Sequence, residues 1–337
     1  MSGVARSMMA AAATFVVLIS SFGASVAAQS AGVPSSWIDV SDRNVALDEL
    51  PTTAQRAAEA SNFWVGYVFP LREGVRVGCD DRDGRTMSFG SDGLRLHFDT
   101  DDDEARVCDD DFGVFLRFDG NASEVVEARM LTLERAEDGL DIAVVWAGEY
   151  SSPESVAFLR SAVLRGDGGS GAIGTSSDKV RERLLSAVAV HAGDAATEVV
   201  LASLNPSQPE ELRESAVFWT SQVGGDEGLE RLLDVARNDR SSEVRKQSIF
   251  WLGQVAGERA TAHLADIAED DPDTEVRTSA VFALSQSDDE AAIDALVKIV
   301  RTHDNREVVK AALFWLGQSG DPRVVALLEE LLFGGRE

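Results

Sequence analysis

In the second half of this 337-residue chain a short phrase returns four times at a constant spacing of 32 residues. Phe218-Trp219, Phe250-Trp251, Phe282-Ala283 and Phe314-Trp315 occupy equivalent places, and Gln222, Gln254, Gln286 and Gln318 follow at a fixed offset. Leu212, Val244, Val276 and Val308 stand upstream of each pair, and Leu232, Leu264, Leu296 and Leu328 downstream. A period this strict dictates a solenoid, in which no unit buries its apolar face alone and each closes the core of its neighbour.

Five helical hairpins can be written across residues 178–337. The first spans Asp178 to His191 and Asp194 to Ser203, and is degenerate, with Ser186-Ala187 in place of the aromatic pair. The second runs Pro209 to Val223 and Asp226 to Ala236, and the third Ser242 to Val255 and Glu258 to Ala268. The fourth covers Thr274 to Ser285 and Asp289 to Val300, and the fifth Arg306 to Gly317 and Asp321 to Leu332. At about 100° per residue, Val244, Ser248, Trp251, Leu252 and Val255 share one arc, which is the expected buried stripe. Acid-rich turns such as Asp270-Asp271-Pro272-Asp273 place a capping oxygen at the start of the next helix. The expected product is a two-layer right-handed superhelix.

Upstream the period changes. Arg6, the apolar run Met8 to Ile19 and the small residues Val26-Ala27-Ala28 read as a secretory signal peptide over residues 1–28. A membrane anchor is the alternative, opposed by the shortness of the run and its end at Ser20-Ser21. The mature protein is thus expected in a periplasm or secreted, with no stable membrane insertion. Residues 29–61 form an extension with a short helix, Ala54 to Ser61, opened by Pro51-Thr52-Thr53 with Pro51 or a threonine at its start. Residues 62–147 form a small β-rich domain. Phe63 to Phe69, Gly93 to Phe98, Val114 to Phe118, Val125 to Leu133 and Leu140 to Trp146 alternate between turns such as Asp119-Gly120 and Asp138-Gly139. That pattern predicts antiparallel strands with one wet face. The string from Trp146 to Leu159 parallels that from Trp315 to Leu328, so residues 148–165 are expected to cap the solenoid. Residues 166–177 are Gly/Ser-rich and read as a flexible loop.

The β domain holds both cysteines, Cys79 and Cys108, which predict one disulfide closing a loop of about 30 residues. Asp80-Asp81 and Asp109-Asp110-Asp111 follow them, and such a density of hard oxygen donors suits Ca²⁺, although the spacing of a calcium-binding helix–loop–helix is missing. The alternative is a set of solvated turns. Paired acids also raise a glycosidase, but flexible Asp-rich turns do not hold two carboxylates at a fixed separation. A net charge of −27 opposes nucleic acid and anionic membranes as partners. The chain has no H-x-x-H, H-E-x-x-H or G-x-S-x-G motif and no phosphate loop, so nothing proposes a specific reaction or cofactor.

The phrases Glu243-Val244-Arg245 to Leu252-Gly253, Glu275-Val276-Arg277 to Leu284 and Asp321-Pro322-Arg323-Val324-Val325 resemble short bacterial HEAT repeats of the phycobilisome lyase-like type. The resemblance covers about Val180 to Leu332 and implies a protein- or peptide-binding scaffold. Members of the lyase-like group attach bilins to proteins, but both cysteines lie outside the repeats here. The Phe-Trp pairs depart from the family pattern and supply the best functional lead. Phe218, Phe250, Phe282 and Phe314 point about 150° from the buried arc and form a ladder. Together with Trp219, Trp251, Trp315 and the glutamine column it either packs within the solenoid or serves recognition beside a concave second-helix surface. The function expected is an exported, non-catalytic adaptor. A calcium-dependent module and a hydrolase seated between the two domains are the alternatives.

Overall fold

The computed structural model describes residues 33–72, 112–164, 173–287 and 289–333. The chain opens with β1 (Ile38–Asp39), α1 (Leu50–Ala58) and β2 (Phe63–Val68), then β3 (Phe112–Phe118), β4 (Val125–Thr132), α2 (Leu133–Gly139) and β5 (Val144–Glu149). Helix α3 (Ser152–Val163) leads into the repeats: α4 (Asp178–Ala189), α5 (Asp194–Ala202), α6 (Glu210–Val223), α7 (Gly225–Asn238), α8 (Ser242–Val255) and α9 (Glu258–Asp270). The series ends with α10 (Thr274–Ser285), α11 (Glu290–Thr302), α12 (Arg306–Ser319) and α13 (Arg323–Phe333). An α-solenoid preceded by a small β-rich sheet is the architecture that the two periods predict.

The sheet order is β1-β5-β2-β3-β4. Strands β2, β3 and β4 form an antiparallel meander, but β5 runs parallel to both β1 and β2, with Val65 opposite Leu116 on one side and Val145 on the other. The sheet is therefore mixed, because the chain leaving β4 crosses through α2 and returns beside β2 in the same direction. Both faces of the central strands are covered, and one face reaches solvent only toward β4, where Arg117 and Arg129, both paired with Glu127, lie over Trp64. Phe63, Val65 and Tyr67 join the core shared with the helices, while Trp64 faces Trp37, Phe115, Leu133 and Trp146. Gly66 has no room for a side chain, since a Cβ there would run into the Phe115 ring. Cys79 and Cys108 lie outside the described residues, as do the strand expected at Gly93 to Phe98 and the acids Asp80, Asp81, Asp109, Asp110 and Asp111. The disulfide expectation is corrected: no disulfide is present among the described residues. There the sheet is held by its apolar faces and strand ladder.

One core runs from the sheet through α3 and α4 into the repeats. At its junction Tyr67 Oη lies 2.9 Å from Ser155 Oγ, which lies 2.7 Å from His191 Nε2. His191 Nδ1 is 2.7 Å from Ala187 O, and a carbonyl only accepts, so this nitrogen carries the proton. Nε2 therefore accepts from Ser155, and Ser155 accepts from Tyr67. Phe69 stacks on the imidazole at 3.5 Å. Desolvation lowers the His191 pKa to about 4 and raises that of Tyr67.

In the repeats the first helices stack in series, α4 on α6, α6 on α8, α8 on α10 and α10 on α12. They turn Ala216, Ser248, Ala280 and Ala312, with the fully buried Leu212, Val244, Val276 and Val308, into the core, and Ser248 Oγ donates to Leu232 O of α7 at 2.7 Å. Ser241, Asp273 and Asn305 cap α8, α10 and α12 by accepting two backbone N–H groups each.

Two buried ion pairs repeat with the units. Arg213 Nε and Nη2 each donate to Asp239 at 2.8 Å, and Arg245 Nε and Nη2 each donate to Asp271 at 2.9 Å. The same Asp239 and Asp271 accept the backbone N–H of Ser241 and Asp273 at 2.8 Å, which sets the turn into the next first helix. Arg245 also donates to Asp239 O at 2.9 Å, so each guanidinium ties its helix to the turns on either side.

Removing one partner of such a pair leaves a buried charge. Asp239→Ala is expected to cost about 3–5 kcal/mol in urea unfolding, whereas Asp266→Ala, at an exposed pair with Arg237, should cost less than about 1 kcal/mol. Because the folded-state pKa of His191 lies below its ordinary 6.5, stability is complete above that pH and falls as pH drops toward about 4. The loss is on the order of 3 kcal/mol. Unfolding curves across this window should show that extra slope for the wild type and not for His191→Gln.

Candidate binding surface

Within α6, α8 and α12 the Phe and Trp of a pair are sequence neighbours, yet the contact that organises them is between units. Phe218 packs on Trp251 with ring centroids 5.1 Å apart, and Phe282 packs on Trp315 at 5.0 Å. The same step from the degenerate first unit brings Ser186 to Trp219, whose Nε1 donates to Ser186 Oγ at 3.1 Å. A residue in the Phe column thus meets the residue 33 positions later, in the Trp column of the next unit.

This rule sorts the aromatic residues by exposure. Phe218 and Phe282, each followed by a Trp, are half-buried. Phe250 is followed by Ala283 and is 44% exposed. Helices α8 and α10 come close at that step, where a Cβ on Gly253 would lie 3.1 Å from Ala283 Cβ. Phe314, at the last pair, is 58% exposed. Trp219 is buried at 7% exposure, and Trp251 and Trp315 are half-buried. The ladder is therefore two short stacks, each ending on an open phenylalanine face.

Gln222, Gln254, Gln286 and Gln318 are all exposed. Gln222 donates to Ser221 Oγ at 3.1 Å and Gln286 to Ser285 Oγ at 3.2 Å. Trp at one unit and Ala at the next was visible in the sequence as the signal for a gap, but the partner across it was not.

The Ser155 and His191 pair has the reach of a nucleophile with its base, and lies between sheet and solenoid. Both side chains are fully buried, and the second imidazole nitrogen faces a carbonyl rather than a carboxylate. The arrangement satisfies polar groups inside a core. No cluster of three or more His, Cys, Asp or Glu suited to a metal ion occurs among the described residues, and the acids of the calcium reading lie outside them. Nor does any described helix have the length and apolarity to cross a membrane.

Residues 197–285 and 261–333 match the family model for HEAT repeats, and the C-terminal portion of the chain is a HEAT-repeat fold. The chain is similar to one in the structure of the complex of CpcE and CpcF of phycocyanin lyase from Nostoc sp. PCC7120, with 23% identity. The match covers 43% of this chain and 93% of that one, at a TM-score of 0.32. No curated protein matches the sequence.

The contrast in exposure has a direct consequence. Trp219→Ala is expected to lower unfolding stability by about 3–5 kcal/mol, and Phe250→Ser by less than about 1 kcal/mol, both read from urea denaturation.

Proposed function

We propose that this chain, built on a HEAT-repeat solenoid, is an exported, non-catalytic scaffold that binds another protein through the open faces of Phe250 and Phe314. The observation that carries this reading is the pair of large aromatic faces left in solvent at equivalent positions of a repeat that covers Phe218 and Phe282. An aromatic anchor with an exposed amide one turn away, Gln254 or Gln318, supplies apolar area together with a hydrogen-bonding rim. The charge of −27 favours a partner whose contact surface is basic around an apolar centre, by steering the encounter and rejecting acidic competitors. Export is supported by the residue pattern of positions 1–28.

The test is affinity capture from the native exported fraction with the wild type and with a Phe250→Ser, Phe314→Ser double variant of unchanged thermal midpoint. A protein retained by the wild type and lost from the variant supports the reading. Equal capture by both places recognition elsewhere.

A further inference from the structure

The buried ion-pair series breaks at its third rung. Arg213 meets Asp239 and Arg245 meets Asp271, each 26 residues on; Arg277 stands at the next repeat position, and 26 residues on from it is His303. His303 performs half of the aspartate's task. Its Nδ1 accepts the backbone N–H of Asn305 at 3.0 Å, as Asp239 and Asp271 accept those of Ser241 and Asp273, so the turn into α12 keeps its form. Its Nε2 lies 3.3 Å from Glu269 O, which requires that nitrogen to hold the proton and turns it away from any role as an acceptor for Arg277. The guanidinium keeps one hydrogen bond, Nη2 to Thr274 Oγ1 at 2.7 Å, while the buried Nε has no partner among the described residues.

Space accompanies the missing carboxylate. Arg277, His303, Glu269, Thr302, Asp304 and Asn305 line a cleft of about 490 Å³ at this rung. Glu269 is neutralised by Lys298, and Asp304 is exposed. A buried guanidinium N–H without an acceptor is costly, and the two complete rungs show the geometry that relieves it, a planar carboxylate on Nε and Nη2 together.

We propose that the cleft is a binding site for a carboxylate supplied from outside the chain, which completes the third rung by seating on Nε and Nη2 of Arg277. The group is either a free small carboxylic acid or an acidic side chain of a polypeptide. The site shares no residue with the aromatic faces, so the outcome of the capture experiment does not bear on it.

The test follows the Arg277 Nε–Hε resonance of the full chain by NMR, identified by its loss in Arg277→Lys, during titration with sodium acetate against sodium chloride at matched ionic strength. A saturable shift with acetate alone is expected. The variant His303→Asp supplies the carboxylate internally, as the preceding units do. Its Arg277 signal should start near the positions of Arg213 and Arg245 and no longer respond to acetate. A blocked peptide with one central aspartate distinguishes the sources: half-saturation below that of acetate assigns a polypeptide carboxylate, and equal or weaker binding a free acid. The proposal is overturned if acetate acts no differently from chloride, if His303→Asp responds as the wild type does, or if inorganic phosphate saturates the site at lower concentration than acetate.

Discussion

The solenoid depends on a charge taken out of water and matched. Arg213 is fully buried and Asp239 nearly so, and the bidentate pair between them joins the start of one first helix to the turn that launches the next. Apolar stripes alone would permit neighbouring hairpins to slide, since dispersion and burial have little directional preference. A guanidinium that must place two N–H groups on one carboxylate and a third on the preceding turn admits a single offset. Buried ion pairs are weak sources of net stability, so their value here is the fixed relation they impose between units. At that offset α8 and α10 come close where Gly253 meets Ala283.

Once the offset is set, the surface follows. The rotation from one first helix to the next carries the Phe column of one unit onto the Trp column of its successor, and covers or exposes each phenylalanine according to what stands there. Alanine at 283 is thus a statement about Phe250 in the preceding unit. Its effect on exposure is read from the neighbour, as nearest-neighbour coupling in a repeat array requires.

Much of this was legible in the residues. The 32-residue spacing located the helical hairpins, and the acid-rich turn ending at Asp273 marked the start of α10, whereas the caps Ser241 and Asn305 emerge from the structure. What stayed hidden depends on geometry between elements. Arginine at 213, 245 and 277 and aspartate at 239 and 271 carry the period openly, but a contact spanning 26 residues crosses two helices and becomes a pair only when the superhelix is built. The same holds for the step of 33 that joins Phe218 to Trp251. In the sheet, period-two alternation is identical for parallel and antiparallel neighbours, so the placement of β5 beside β2 had no local signature. The start of α2 resembles the end of a strand, because Leu133 continues the apolar alternation of β4 before Glu134 to Gly139 leave it. Helix α1 begins earlier than the first Ala after Pro51, since proline is accommodated in a first turn whose N–H groups have no helical partner.

The fourth unit departs from the period twice, and the departures have a common logic. Ala283 replaces a tryptophan and leaves an aromatic face open in the unit before it; His303 replaces an aspartate and leaves a guanidinium incomplete within its own unit. Neither change disturbs the backbone device at its position. Ala283 keeps α8 and α10 in close contact through Gly253, and His303 still accepts the turn N–H that aspartate accepts elsewhere. A repeat that retains the scaffolding half of a residue's task while dropping the half that satisfies a neighbour converts internal contacts into surface chemistry without loosening the array. In a solenoid, where every unit is otherwise constrained to resemble the next, broken columns of this kind are where recognition groups can be released at least cost to the fold.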